Sequence, residues 1–285
     1  MIRRRYPGGV RLLENGGTWN TLAGQPTDDS EMALSLARLL IEKKTYNQRA
    51  AREAYLEWLE SGPFDCGFTI SRGLSGLLNF ESQANGALMR ISPLGIFGIN
   101  YSEDQIAKWA VEDAQITHPN PICTRINALF VLALRQAILT GCEHDDFYAY
   151  IVQAAEELKV GSKIQTVISR AECFRPEDYT YQQGWVLIAF QNALWQLLNS
   201  ANLEEGLIDT VMQGGDTDTN AAICGALLGA VEGRTAIPEQ WQTSILNCRP
   251  QAGQPEVRKP RPECFWPVDA LELAQKLIST TPSIQ

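Results

Sequence analysis

The sequence has no two cysteines at the short spacing that a zinc knuckle or a redox motif requires. Its seven cysteines are an odd number and lie far apart along the chain, from Cys66 to Cys264. Neither a disulfide framework nor a zinc ribbon fits this pattern. Reduced, buried cysteines are typical of cytosolic proteins, so we predict a cytoplasmic location.

Long apolar runs and basic tracts are also missing. The opening MIRRRYPGGV is basic but no apolar segment follows it, so it is not a signal peptide. No apolar run approaches the roughly 20 residues of a membrane span, and we predict no membrane partner. With 33 acidic and 24 basic residues, the net charge is -9. Because nucleic-acid backbones need Lys and Arg, we expect no binding to them. The oligomeric state stays open.

Strand-like alternation is scarce, and helical periodicity dominates the chain. Ser102 and Gln105, for example, form a capping box ahead of one helical run. The 285 residues are 45% hydrophobic, which is enough for a sizeable core. We predict an all-α fold, with a single compact multi-helix domain over residues 1–285. Loops are predicted over 1–26 and 249–262, and helices over 29–43, 47–60, 121–140, 181–199, 217–232 and 268–279.

The heptapeptide GGDTDTN, residues 214–220, places two carboxylates two positions apart before a helical run. One aspartate could cap that helix and stabilise it by about 1 kcal/mol. The second repels the first, and a cation would remove the repulsion. Positions i and i+2 of a helix point about 200° apart. Asp216 and Asp218 therefore converge only on a non-helical backbone, which Gly214 and Gly215 permit. Spacing alone leaves capping and metal binding equally open.

A second acidic pair opens another helix, in PTDDSEM at residues 26–32. Asp28 and Asp29 are adjacent and cannot both cap, whereas Glu31 reads as ordinary first-turn charge favoured by the helix dipole. Hard divalent cations prefer oxygen ligands, and Mg²⁺ prefers six of them. Two such ions could position and activate a water. The six side-chain oxygen donors that could share two ions are Thr27, Asp28, Asp29, Asp216, Asp218 and Thr219.

The extended segments PTDDSEMALSLARLL and GGDTDTNAAICGALLGA resemble the paired metal motifs of the ADP-ribosylglycohydrolases. That family includes dinitrogenase-reductase-activating glycohydrolase and the ADP-ribosylarginine hydrolases. Three more segments agree in family order and extend the resemblance over nearly the whole chain. They are NGALMRISPLG at 85–95, ITHPNP at 116–121 and GWVLIAFQNALWQLL at 184–198.

The resemblance implies a cleft that holds two Mg²⁺ ions, with Mn²⁺ as a possible substitute, and the six oxygen donors as metal ligands. It implies hydrolysis at ribose C1″ of an ADP-ribosylated protein or small molecule. The carboxylates of Asp28, Asp29, Asp216 and Asp218 are candidates for the catalytic base, and the sequence cannot separate them. The implied substrate-binding residues are Asn85, Gly86, Ala87, Met89, Arg90, His118, Gly214, Gly215 and Thr217.

Two of these residues allow a second interpretation. Arg90 could contact phosphate oxygens, or it could form a structural ion pair. His118 precedes a proline and could contact the ligand or bond to the backbone. The small residues 85–87 would let backbone N–H groups approach a diphosphate.

One departure concerns the start of the chain. Family members begin with an apolar helix of the form Gly-x-x-x-Gly-Asp-Ala-x-Gly, followed by a functional Glu. That segment would lie ahead of Met1, since RRRYPGG resembles the stretch that comes directly after it in the family. We therefore expect this chain to lack the first helix and its Glu, and Met1 to be a late start.

We predict a magnesium-dependent hydrolase that removes ADP-ribose from an arginine-type acceptor through an oxocarbenium-like transition state. Two alternatives remain at this point. One is a non-catalytic protein that binds ADP-ribose, and the other is a hydrolase of a different pentose glycoside.

Overall fold

Helices make up the architecture of this chain, for which the computed structural model describes residues 2–141 and 144–280. Those ranges contain no β-strand, only the isolated bridges Gly16–Thr21 and Ala84–Trp185, so the all-α prediction is confirmed. The helices are α1 (Ile2–Arg5), α2 (Asp28–Lys43), α3 (Gln48–Glu60), α4 (Phe68–Leu74), α5 (Ser92–Phe97), α6 (Glu103–Gln115), α7 (Pro121–Thr140), α8 (His144–Glu157), α9 (Ser162–Ala171), α10 (Val186–Asn199), α11 (Leu203–Gln213), α12 (Thr217–Glu232), α13 (Glu239–Leu246) and α14 (Ala270–Ser279).

The predicted helices are present, most of them within two residues of their expected bounds. The prediction for 181–199 begins too early, because residues 181–184 form turns and α10 starts only after the Ala84–Trp185 bridge. The loop predicted over residues 1–26 contains one short helix, α1. The connector at 249–262 has no helix, as expected.

Helices α7 and α10 are the centre of the core. Of their residues, 12 in α7 and 11 in α10 are buried. Helix α7 packs against α5, α6, α8 and α12, whereas α10 packs against α9 and α12. By length and apolar composition α7 could cross a membrane, contrary to the expectation from the sequence, yet 67% of that stretch is buried in the fold. A helix that is apolar on all sides is what a core position requires.

A buried ion pair fixes the start of α2. The Glu31 carboxylate accepts hydrogen bonds from Arg261 and from the Trp58 indole, each at 2.8 Å, and Arg261 also donates to the Ser61 carbonyl. Both charged side chains are almost fully buried. Glu31 is therefore not an ordinary first-turn charge. Because a buried charge must be fully paired to offset its desolvation, this network holds α2 in one position against α3 and the connector.

Candidate active site

Two helix starts meet at the candidate site, and neither uses its N-cap side chain as a cap. Helix α2 follows Thr27 and helix α12 follows Asp216. Neither side chain accepts a hydrogen bond from a backbone N–H in the first turn of its helix. The capping interpretation therefore does not explain these residues.

The backbone ahead of α12 has the conformation that its two glycines permit. Gly214 and Gly215 have φ values of 82° and 74°, in the region that favours glycine. A Cβ atom on Gly215 would lie 1.8 Å from the Tyr179 carbonyl oxygen, so only glycine fits there. With this backbone, Asp216 accepts a hydrogen bond from the Asn85 side-chain amide at 2.8 Å.

The paired aspartates of α2 have different partners. Asp28 Oδ2 accepts from the Gly67 N–H at 3.2 Å, whereas Asp29 Oδ2 accepts from the Thr27 hydroxyl at 2.9 Å. The second oxygen of Asp29, Oδ1, is buried without a hydrogen-bond partner. Buried polar atoms are rarely left unpaired, so the hydrogen-bonding capacity of this oxygen is unmet within the described residues.

Burial and mutual repulsion raise the pKa values of these carboxyls. Burial, and then the charge of Asp65, raises the pKa of Asp28 to about 7. The pKa of Asp216 rises to about 6, mainly through burial, although the Asn85 hydrogen bond opposes the shift. For Asp29, burial and the Asp28 charge hold the pKa well above its ordinary value. The site thus concentrates negative charge that the protein itself does not neutralise.

Asp65 belongs to this cluster, although the sequence did not single it out. It lies in the loop between α3 and α4, lines the same cavity and is half-buried. Burial and the charge of Asp218 raise its pKa. The sequence does contain a weak indication of Asp65. It stands two residues before Gly67, the N-cap of α4, and Asp216 is likewise at the N-cap of α12. A single aspartate in a loop is nevertheless weak evidence without the fold.

The carboxylates surround a cavity of about 330 Å³. Four of the six predicted metal ligands line this cavity, namely Asp28, Asp216, Asp218 and Thr219. Thr27 and Asp29 do not line it. Of the predicted substrate-binding residues, four line the cavity. They are Asn85, Gly86, Met89 and His118.

The other predicted substrate-binding residues are placed differently. Gly214, Gly215 and Thr217 shape the start of α12 but do not line the cavity. Ala87 is fully buried and does not line the cavity. These residues position the site; their side chains do not form its surface.

Arg90 does not reach the cavity, and the phosphate interpretation is wrong for its side chain. It is fully buried, donates to Asp113 at 3.1 Å and lies over the Tyr55 ring at 4.4 Å. Its Nη1 atom donates to the Thr117 hydroxyl at 2.9 Å. The ion-pair alternative is the one that the structure supports. The turn that begins at Asn85 carries the side chain inward, to a partner 23 residues further along the chain.

This buried network sets the state of His118. The Thr117 hydroxyl accepts from Arg90 and lies 2.7 Å from His118 Nδ1. Arg90 cannot accept a hydrogen bond, and the described residues offer the hydroxyl proton no other acceptor. The proton therefore points to Nδ1, and the ring proton is assigned to Nε2. Burial, and then the Arg90 charge, lowers the pKa of His118 to about 3, so the ring is neutral.

The Nε2 atom of His118 is left without a partner among the described residues. His118 lines the floor of the cavity, where its ring lies beneath Gly86. A neutral ring with its proton on Nε2 is a hydrogen-bond donor and not a base. Of the two interpretations of His118, the contacts favour a ligand contact over a bond to the backbone.

A second cavity, of about 660 Å³, adjoins the first. Ala84 and Gly184 line both, and the Ala84–Trp185 bridge joins the two loops that carry them. The site is therefore one end of a longer cleft. The remaining lining residues of the second cavity are Glu81, Gln83, Lys163, Gln182, Gln183 and Trp185.

Comparisons with known proteins agree with this geometry. The family model described as ADP-ribosylglycohydrolase matches residues 1–277. An Acanthamoeba polyphaga mimivirus protein named as an ADP-ribosyl glycohydrolase is 32% identical over 82% of this chain and 78% of its own length. The ADP-ribosyl-(dinitrogen reductase) glycohydrolase of Rhodospirillum rubrum is 28% identical over 86% and 81%. A solved structure titled as an ADP-ribosylglycohydrolase-related protein complex shares the fold, with a TM-score of 0.77, 24% identity and coverage of 95% and 88%.

Fold and site define a helical hydrolase of glycosidic bonds whose cleft is walled by aspartates from two helix starts. The chain belongs to the ADP-ribosylglycohydrolase family. The non-catalytic alternative is not supported, because the named relatives are hydrolases.

The raised pKa values predict how the stability of metal-free protein depends on pH. Asp28 and Asp216 keep their protons in the folded state up to about pH 7 and 6, whereas an unfolded aspartate ionises near pH 4. Their contribution to stability is therefore present at low pH and is lost as pH rises from about 4 to 7. Denaturant titrations with chelator at pH 5 and pH 8 should give the higher free energy of unfolding at pH 5.

The Asp28→Asn variant should lose part of this difference, because the amide does not titrate. Asp104→Asn, at an exposed position in α6, is the matched control and should keep it. A pH difference that is the same in the native protein and both variants would contradict the assigned shift.

The state of His118 can be read directly, since the chain has only two histidines. Protein labelled with ¹⁵N-histidine should show the His118 ring neutral from pH 5 to 8, with its proton on Nε2; His144→Gln identifies the other signal. Thr117→Val removes the donor to Nδ1, so the His118 ring should become a mixture of tautomers. The variant protein should then bind ADP-ribose about tenfold more weakly, which corresponds to the loss of one hydrogen bond. Thr117→Ser should behave like the native protein. A native ring protonated on Nδ1 would refute the assignment.

Proposed function

We propose that this protein is a magnesium-dependent hydrolase that releases ADP-ribose from arginine-type acceptors by attack of water at ribose C1″. The observation that carries the proposal is the unneutralised cluster of aspartates. No ion pair in the described part of the chain involves Asp28, Asp29, Asp65, Asp216 or Asp218. Asp28 and Asp29 are buried, and buried carboxylates without a basic partner form a site suited to a cation.

The donor set fits Mg²⁺ better than a soft metal. All six donors are oxygens, and the unpartnered Oδ1 of Asp29 would gain a partner. Within the described residues, no three acidic, His or Cys side chains already converge as metal ligands, so the carboxylates would turn toward the ions. Mn²⁺ suits the same donors. The residues that would hold two ions are Thr27, Asp28, Asp29, Asp216, Asp218 and Thr219.

Bound divalent ions would lower the pKa of a water and fix its position. The chain itself supplies the carboxylate that takes the proton from this water. Asp65 joins Asp28, Asp29, Asp216 and Asp218 as a candidate, because it lines the cavity and its pKa is raised toward neutral pH. It has the further advantage of not belonging to the proposed ligand set.

The turn that starts at Asn85, beside Asp216, is suited to a diphosphate. The carbonyl of Asn85 accepts from the N–H groups of Leu88 and Met89, which closes a turn whose first two N–H groups, of Gly86 and Ala87, have no backbone acceptor among the described residues. Free N–H groups at the start of such a turn attract anions.

The arginine-type acceptor rests on the name of a relative, an ADP-ribosylarginine hydrolase of Pseudomonas putida that is 24% identical over 96% of this chain and 72% of its own length. A panel of ADP-ribosylated arginine, serine and nucleoside substrates would separate this acceptor from others. We expect turnover of the arginine conjugate, and only with Mg²⁺ or Mn²⁺ present.

Substitution of the α12 aspartates tests the proposal. Asp216→Ala and Asp218→Ala should each lower turnover of ADP-ribosyl-arginine by more than about a hundredfold, since even outer-shell partners of a metal cost up to that much. In chelator, the melting temperature of each variant should be unchanged or higher, because one of several repelling carboxylates is gone.

Calorimetric titration of chelator-stripped native protein with Mg²⁺ should show about two sites, as in two-metal hydrolases, and fewer in the variants. Native protein that binds no divalent ion at millimolar concentration would end the metal proposal. Variants that unfold in chelator would show that the carboxylates have a purely structural role.

A further inference from the structure

Exposed large apolar side chains are concentrated in one stretch of the chain. Nine such side chains occur in the described residues, and four of them fall within residues 68–80. They are Phe68, Leu77, Leu78 and Phe80, which are 73%, 56%, 41% and 63% exposed. We name these four the 68–80 surface. Large exposed apolar side chains concentrated in one region mark an interaction site more often than singly scattered ones do.

Hydrogen bonds fix the backbone of this segment, so the exposure of its side chains does not come from an unstructured loop. The Thr69 hydroxyl is hydrogen-bonded to Ser82 at 2.9 Å, which ties the start of α4 to the far end of the segment. The Leu77 N–H donates to the Arg72 carbonyl at 2.8 Å, and the Asn120 amide donates to the Phe80 carbonyl at 2.7 Å. A fixed backbone thus presents these apolar side chains to solvent.

The 68–80 surface borders the catalytic cavity but extends beyond it. Phe68 lines the cavity, directly after Gly67, whose N–H donates to Asp28. The other three side chains line neither this cavity nor the one that adjoins it. A ligand confined to the cleft would therefore meet Phe68 alone. Leu77, Leu78 and Phe80 are left for whatever extends out of the cleft.

The charge of the segment differs from that of the whole chain. Residues 67–80 contain no acidic residue and one basic residue, Arg72, although the chain carries a net charge of -9. The Arg72 guanidinium lies 5.4 Å from the centre of the Phe68 ring. The 68–80 surface is apolar and weakly positive, whereas the chain as a whole is negatively charged. It would therefore repel a negatively charged diphosphate conjugate less than the rest of the protein surface does.

We propose that the 68–80 surface is the docking surface for the polypeptide that carries the ADP-ribosyl group, so that the preferred substrate is a modified protein and not a free ADP-ribosyl amino acid. This inference rests on the proposed function. The modified side chain enters the cavity past Phe68, and apolar side chains of the substrate protein next to the modified residue pack on Leu77 and Phe80.

The test compares two substrates with the same linkage. One is a protein mono-ADP-ribosylated on the acceptor type that the native enzyme cleaves, and the other is the free ADP-ribosyl amino acid. The variant is Leu77→Ser/Phe80→Ser. We expect kcat/KM for the modified protein to fall about tenfold, through KM, which corresponds to about 1.4 kcal/mol of lost binding. The value for the free conjugate should change less than about twofold, since surface substitutions alter stability little.

Leu139→Ser is the matched control. Leu139 is 48% exposed and lies 18 residues into α7, roughly 27 Å along the helix from its start near the site. It should leave both substrates unaffected.

Three outcomes overturn the docking proposal. An equal loss on both substrates would place the 68–80 surface in the nucleotide subsite. No loss on either would show that nothing docks there. The third outcome concerns the oligomeric state: the native protein sediments as a dimer and the double variant as a monomer, while the ratio of kcat/KM for the two substrates is unchanged. That result would assign the surface to a second copy of the chain. A native enzyme that turns over neither substrate would instead refute the proposed function, and the docking proposal with it.

Discussion

The fold brings several carboxylates together at one cavity, where they repel each other. The rest of the structure has to hold them there against this repulsion. Asp28 and Asp29 open α2, Asp216 and Asp218 open α12, and Asp65 stands between α3 and α4. Left to themselves these groups would separate or stay protonated, as the raised pKa values of Asp28 and Asp216 show. Their positions must therefore be imposed by packing elsewhere.

Two buried arginines supply much of that constraint. Arg261 pairs with Glu31 and fixes the first turn of α2, while Arg90 pairs with Asp113 and holds the floor of the cavity. Each pair is surrounded by further hydrogen-bond partners, among them Trp58 and Thr117. Such fully paired buried charges are weak contributors to net stability, but removal of one partner is costly. They specify geometry, and in this protein the geometry is that of the acidic cleft.

The two acidic clusters could be located from the sequence because each is local: adjacent aspartates cannot both cap a helix, and two glycines before an aspartate predict an unusual backbone, which the structure has. Spacing alone left capping and metal binding open, and the metal assignment came from the family resemblance. Asp65 was not predicted, because a single aspartate in a loop is weak evidence and only tertiary packing brings it to the cavity. The sequence left Arg90 open between a phosphate contact and an ion pair for a related reason. It stands in the segment that resembles the family's ligand-binding loop, yet its partner Asp113 is 23 residues away, and no spacing rule connects the two.

Different chemical groups line the cleft. Carboxylates, His118 and the turn that starts at Asn85 line one cavity, in which Asn85 is hydrogen-bonded to Asp216, and the apolar 68–80 surface begins beside it at Phe68. These features match what the proposed hydrolase of a diphosphate-bearing glycoside would require. The carboxylates would bind cations, the N–H groups would bind the diphosphate, and the 68–80 surface would select the protein that carries the ADP-ribosyl group.

Crystals of the native protein soaked in Mn²⁺ would show whether the acidic cleft holds cations, because anomalous diffraction locates the ion without reference to activity. We expect anomalous density between the start of α2 and the start of α12, with ligands from both helices and with Asp29 Oδ1 among them. Crystals without such density at saturating Mn²⁺, or with density bound by only one of the two helices, would contradict the assignment of these aspartates as a shared metal site.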